Sequence, residues 1–268
     1  MYARSTHKTV RTTYRIWRVT GKYGLHELVL VVLAFLVYFS IRAAVVSRAG
    51  DALVNAYDVI AFEKALGIYW EHQMQAWILD HYLAIRAMNW IYFWGHMPVI
   101  AAFAVWLYFS RRRTYVLMRN AFLLSGALAV VVYATYPLAP PRLVPFEGFV
   151  DTMAIFDRVG YQMQETEWFV NPYAAMPSMH FGWAMLLGGA VAWVGRRLIL
   201  TVLGIAWPIA MFFSIVLTGN HFIVDAVAGG IVAFAGLGLA LGLERARPHV
   251  VAWMRARIPG LEHAMVRD

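Results

Sequence analysis

Two histidines and an aspartate, His180, His221 and Asp225, stand at the edges of long apolar runs, where a chain this poor in charge has little reason to place them. His221 and Asp225 are four residues apart, a spacing that sets both on one face of a helix, a turn from each other. A carboxylate so placed accepts a hydrogen bond from one ring nitrogen, fixes the tautomer and leaves the other nitrogen nucleophilic. His180 opens a different apolar run, behind Met176-Pro177-Ser178-Met179, and is placed to give a proton to a leaving oxygen. Pro177 suits the first position of its helix, and the N–H groups at the two helix starts are expected to attract an anion such as phosphate, with added hydrogen bonds from Ser178, Asn220 and Arg142. Two imidazoles, an acid and an anion site together describe phosphoryl transfer through a phosphohistidine. His96, mid-span with Asn89 and Tyr92 before it, is open to two readings: a hydrogen bonder in helix packing, or a further contact to the bound phosphate. Two histidines with an aspartate also suit a metal. No further His or Cys clusters beside them and there is no HExxH helix, so the expectation is a site with neither metal nor cofactor.

The elements that must carry these groups are membrane spans. Of 268 residues, 61% are hydrophobic and only 14% charged, against about 45–50% and about 25% in soluble domains, so the chain is expected to be an all-α polytopic membrane protein. Six spans are predicted, at approximately 25–46, 82–109, 115–136, 178–195, 198–217 and 221–243, each near the ~20 residues that cross a bilayer. Most of the 23 Lys and Arg fall on one side of this arrangement: Arg4 to Lys22, then Arg111, Arg112, Arg113 and Arg119, then Arg196 and Arg197, then Arg245 to Arg267. By the positive-inside rule both termini are cytoplasmic, the first span is a retained signal anchor, and both motif histidines face outward. The net charge of +8 follows the loops and forms no single patch, which argues against nucleic acid as a partner. Cysteine is absent, which excludes a disulfide framework and a thiol nucleophile.

Two outer segments are longer than turns. Asp51 to Glu71 mixes apolar and acidic residues in the manner of a helix lying in the interface, interrupted at Gly67. Residues 137–176 begin Pro137-Leu138-Ala139-Pro140-Pro141-Arg142, which is not helix interior, and suit a long loop over the site; Phe146, Phe149, Phe156, Tyr161, Trp168, Phe169 and Tyr173 lie along it. The glycines at 188, 189, 229, 230, 236 and 238 are expected at close helix contacts. With no internal repeat or linker, the chain divides into a basic cytoplasmic segment 1–24, one membrane catalytic domain 25–243 and a basic cytoplasmic tail 244–268.

At the motif residues the chain resembles the type-2 phosphatidic acid phosphatase superfamily, which includes lipid phosphate phosphatases, vanadium haloperoxidases and inositol phosphorylceramide synthases. The second family motif is similar to Pro177-Ser178-Met179-His180, and the third to His221 through Asp225 with Ser214 in the serine place. The resemblance implies six transmembrane helices, no metal, His221 as nucleophile, Asp225 as its partner and His180 as general acid. Ile215 stands where the third motif has arginine, and the lysine and Arg-Pro pair of the first motif are not found. Pro140-Pro141-Arg142 and Asn220-His221-Phe222-Ile223-Val224-Asp225 stand closer to the inositol phosphorylceramide synthase branch. The expected activity is transfer from a lipid-linked phosphoester at the outer face of the plasma or cell membrane, onto a lipid or sugar alcohol, inositolphosphotransferase-like. The alternatives are a lipid phosphate phosphatase using water, a proton-carrying transporter and a non-catalytic membrane scaffold.

Overall fold

The computed structural model of the protein describes residues 24–34, 36, 37, 40, 48–156, 172–195 and 197–257, apart from the side chains of 251 and 254–256. The basic N-terminal segment, most of the second half of the first predicted span, Arg196, the aromatic stretch containing Tyr161, Trp168 and Phe169, and the end of the C-terminal tail lie outside the described residues. The architecture is all-helical: α1 Gly24–Ala34, α2 Ala49–Leu66, α3 Glu71–Leu79, α4 Tyr82–Trp94, α5 Met97–Ser110, α6 Arg112–Thr135, a 3-10 turn Pro141–Leu143, α7 Thr152–Phe156, α8 Met179–Gly195, α9 Leu198–Leu217 and α10 Ile223–Arg257. Among the described residues there is no strand, only an isolated parallel bridge between Leu138 and Ala174.

Three helices, α6, α9 and the stretch Ile223–Val250 of α10, are long and apolar enough to cross a membrane. Their outward faces carry large apolar side chains, with Leu198 80% and Ile231 65% exposed. Burying such a group is worth about 1.5–3 kcal/mol, so rows of them facing outward fit hydrocarbon and not water. The span predicted at 82–109 is two helices, α4 and α5, bent by 50°. Gly95 is pressed against the Ile91 carbonyl and the Trp207 ring, and Pro98 opens the next helix, where its missing N–H costs nothing. Counted as one broken span, this pair brings the candidate spans among the described residues to four. α8 covers the predicted fourth span but has 17 residues, and only a short apolar piece of the first span is described as α1. α6 begins at Arg112, so Arg112, Arg113 and Arg119 are helical residues and not loop. Arg119 pairs with Glu27 of α1, with Arg112 4.0 Å from the same carboxylate.

Most of the segment 51–71 lies in α2, closed by Gly67 in the left-handed conformation (φ 70°), as its interruption there predicts. Its apolar stripe, Ala52, Ala56, Val59 and Ile60, packs on Leu138, Ala139, Val144 and Phe222. A second core joins α5, α6, α8 and α10 through Leu107, Tyr133, Met179, Trp183, Leu187 and Ala233.

α8 and α10, which carry the motif residues, meet backbone to backbone. A Cβ at Gly182 would collide with the carbonyl oxygen of Gly229, and one at Gly229 with that of Ser178. Gly188 makes a similar contact with Gly204 of α9, and Gly236 with Ser125 of α6. Gly189 and Gly238 meet nothing and Gly230 makes only ordinary contact, contrary to expectation, whereas Gly182 and Gly204 do what those glycines were expected to do. Gly229→Ala should therefore push α8 from α10 and cost about 1–3 kcal/mol or more as overpacking. Gly238→Ala, facing open space, should not destabilise, and thermal unfolding of the two variants in detergent checks the difference.

Candidate active site

α10 begins at Ile223, so His221 sits in the loop just before it and not on the helix itself. The first turn of the helix nevertheless brings Asp225 back to it. Asp225 Oδ2 accepts a hydrogen bond from the Phe222 N–H at 2.9 Å and lies 3.3 Å from His221 Nδ1. The carboxylate reaching back to the N–H three residues earlier is the second half of a capping box. Both groups are buried, and Asp225 Oδ1 has no partner. The contact fixes the His221 proton on Nδ1 and leaves the Nε2 lone pair for chemistry.

The anion site expected at this helix start is already filled. The next two N–H groups, Ile223 and Val224, each donate at 2.8 Å to Glu71 Oε1 of α3 and Glu63 Oε1 of α2. Both glutamates are fully buried. Sequence reasoning passed over them as outer-loop charge. A signal was present: Glu63 continues the stripe of Ala56, Val59 and Ile60, and Glu71 shares a stripe with Gln75 and Ile78. Polar residues on an inward stripe are there to bond something.

His180 is the second residue of α8, and α8 begins at Met179, so Pro177 precedes the helix by two residues where the first position was expected. The peptide bond before Pro177 is cis, and its carbonyl accepts from Tyr133 of α6 at 2.9 Å. Ser178 is tied through its N–H to the Asp225 carbonyl at 2.9 Å; its hydroxyl is buried with no partner. The His180 ring is stacked on Tyr92 at 4.4 Å between centroids, lies 4.1 Å from His96 and 5.8 Å from His221. His96 caps α5 at the bend and stacks on Trp183 at 5.6 Å, and Trp183 in turn donates to Ser125. His96 thus touches His180 and Trp183, in a column of rings that sequence reasoning did not assemble.

Arg142 approaches from the other side. Its N–H donates to the Gly219 carbonyl, and its guanidinium donates to the Asn220 side-chain oxygen and lies 3.3 Å from Asp151. Asn220 donates in turn to Thr218 Oγ1 at 2.7 Å. The arginine expected to meet a phosphate is therefore held against the residue next to His221, partly neutralised by an aspartate. Ile215 is fully buried, and its carbonyl accepts the N–H groups of both Asn220 and His221 at 3.1 Å. Ser214, also buried, donates to the Met88 carbonyl of α4. Gln75 bridges Val150 and Leu217, and Thr152 is paired with Asn89, so the segment after Arg142 is fastened to α3, α4 and the end of α9. Among the described residues no group of three or more His, Cys, Asp or Glu is arranged to hold a metal ion.

His221 with Asp225 behind it, and His180 facing it from α8, place two imidazoles 5.8 Å apart, an arrangement in which one can act as base or nucleophile and the other as acid. No curated protein and no solved structure matches the chain. The family model described as PAP2 superfamily matches residues 57–239. That range starts ahead of Glu63, ends beyond Asp225 and takes in well over half of the 268 residues: the protein belongs to the PAP2 superfamily.

Proposed function

We propose that the protein is a lipid phosphotransferase, inositolphosphotransferase-like, working at the outer membrane face through a phosphohistidine on His221. The observation that carries this reading is the approach of the His180 and His221 rings to 5.8 Å, with the buried Asp225 carboxylate 3.3 Å from His221 Nδ1. Nε2 of His221 attacks phosphorus, a P–N bond forms, and the P–O bond to the lipid alcohol breaks. The departing oxygen takes a proton from His180. An acceptor alcohol then returns a proton to His180 as its oxygen attacks phosphorus and frees His221. Asp225 stabilises the imidazolium that exists while phosphorus is bound. The unpartnered Ser178 hydroxyl and the Arg142–Asn220 pair supply donors for phosphoryl oxygens. Pro140-Pro141-Arg142 and Asn220 support the inositolphosphotransferase branch, and the positive-inside pattern supports an outward site with both termini cytoplasmic. Hydrolysis of a lipid phosphate uses the same three residues. It is favoured by the partial exposure of His180, which admits water.

His221→Asn should lower turnover about a thousandfold or more while leaving elution from a sizing column unchanged, and Asp225→Asn should be severe but milder. A His221 variant keeping more than about a tenth of the rate rules out the nucleophile role. His180→Ala should lose most activity toward an alkoxide leaving group and far less toward p-nitrophenolate, which leaves without a proton; equal losses would reduce His180 to a binding group. Transfer is separated from hydrolysis by giving purified protein labelled phosphatidylinositol or a lipid phosphate, with and without ceramide. A new lipid phosphodiester formed only with the acceptor is the expected result. Acceptor-independent release of phosphate or inositol phosphate would make the enzyme a phosphatase or phospholipase.

A further inference from the structure

Glu63 and Glu71 come from two different helices outside the spans and converge on one turn of α10. Each uses Oε1 to accept an N–H of that turn, and each has an Oε2 that is buried with no donor from another residue type. The two carboxyl groups, held on adjacent N–H groups of one turn, face each other closely enough for each to feel the other's charge. Two ionised carboxylates in such a contact, both fully buried, repel each other and lack the water that would screen them. The charged groups around them do not relieve this. Asp225 of α10 adds a third acid, and its partner is His221. Lys64, next in sequence, is half exposed and bound to Glu147, which also accepts from Tyr69 at 2.8 Å. No Arg or Lys among the described residues pairs with either glutamate. A single proton between the two carboxyl groups satisfies both Oε2 atoms and leaves both Oε1 atoms on the helix.

We propose that Glu63 and Glu71 share one proton and act together as positioning residues, a carboxylic acid–carboxylate clamp that holds the first turn of α10 and with it the His221–Asp225 pair. The clamp takes up the Ile223 and Val224 N–H groups while Asp225 takes up that of Phe222, so the three donors at the helix start are divided among three carboxyl groups and the loop carrying His221 has one conformation. Glu63 fits the protonated partner, with its pKa pushed up to about 9 by burial, then by the hydrogen bond and charge of Glu71. Its folded value lies above the ordinary 4.5, so the folded state holds the proton that the unfolded state gives up. This contribution to stability is complete below about pH 4.5, declines above it and is gone once pH passes about 9, where the second negative charge drives the glutamates apart.

The effect on turnover rests on the proposed phosphotransfer, but the shared proton does not, and the test keeps them apart. Infrared spectra of purified protein in detergent should contain a protonated-carboxyl band at pH 7 that titrates away near pH 9. Glu63→Gln and Glu71→Gln should each abolish it, because an amide donor then replaces the shared proton. Wild-type amide protection at residues 222–224 should fall as the band disappears, whereas Glu63→Gln should keep its protection above that pH. Glu63→Ala should lower kcat about tenfold or more with KM changed less, and Glu63→Gln should restore most of it, as expected of a residue acting through helix position. If Glu63→Ala does not fold, the two glutamine variants carry the test alone. A wild-type spectrum without the band, or a band that survives both glutamine variants, overturns the clamp. A band that behaves as described in a protein inactive on every phosphoester tried leaves the clamp standing and removes the phosphotransfer reading.

Discussion

Everything about the site depends on how the first turn of α10 is satisfied. A helix start exposes N–H groups with no partner inside the helix, and when it is buried each must find an acceptor. Here the acceptors are Asp225 from the same turn, Glu71 and Glu63. One of them, Asp225, is at the same time the partner of His221. Capping and the geometry of the proposed catalytic pair are thus one arrangement, and helices α2 and α3 are part of the site and not a covering for it. The positive end of the helix dipole favours carboxylates at this place.

The second constraint is distance. His180 opens α8 and His221 lies just ahead of α10, and these two helices approach closely because Gly182 and Gly229 carry no Cβ atoms to separate the backbones. On the far side the His180 ring is braced by Tyr92 and His96, and His96 by Trp183, which is hydrogen-bonded to α6. The 50° break between α4 and α5 is what lets Tyr92 and His96 reach the same ring from the end of one helix and the start of the next. A straight span would carry His96 past it.

Among the described residues, cationic charge near His221 is sparse. Ile215 offers its carbonyl in place of a guanidinium, and Arg142 is shared between Asn220 and Asp151. A site with a partly neutralised arginine holds a singly charged phosphodiester more readily than a doubly charged monoester, because each further negative charge in a low-dielectric place needs its own counter-charge. This agrees with the diester-linked lipid headgroup proposed as substrate.

The spacing of His221 and Asp225, the Pro-Ser-x-His run and the apolar lengths around them were enough to find the two imidazoles, their acid and a membrane setting, since these are local patterns with a fixed geometric meaning. Even there the tertiary structure changed the sense of the pattern: His221 and Asp225 meet across a helix cap and not along a helix, and the N–H groups read as an anion site are taken by carboxylates. Glu63 and Glu71 lie more than 150 residues before the atoms they bind, and charged residues in an outer segment look the same in sequence whether water or a buried helix start faces them. Which glycines touch another backbone, where the second span breaks and which ring His96 meets were likewise decided only by packing, because each depends on what a distant segment brings to that position.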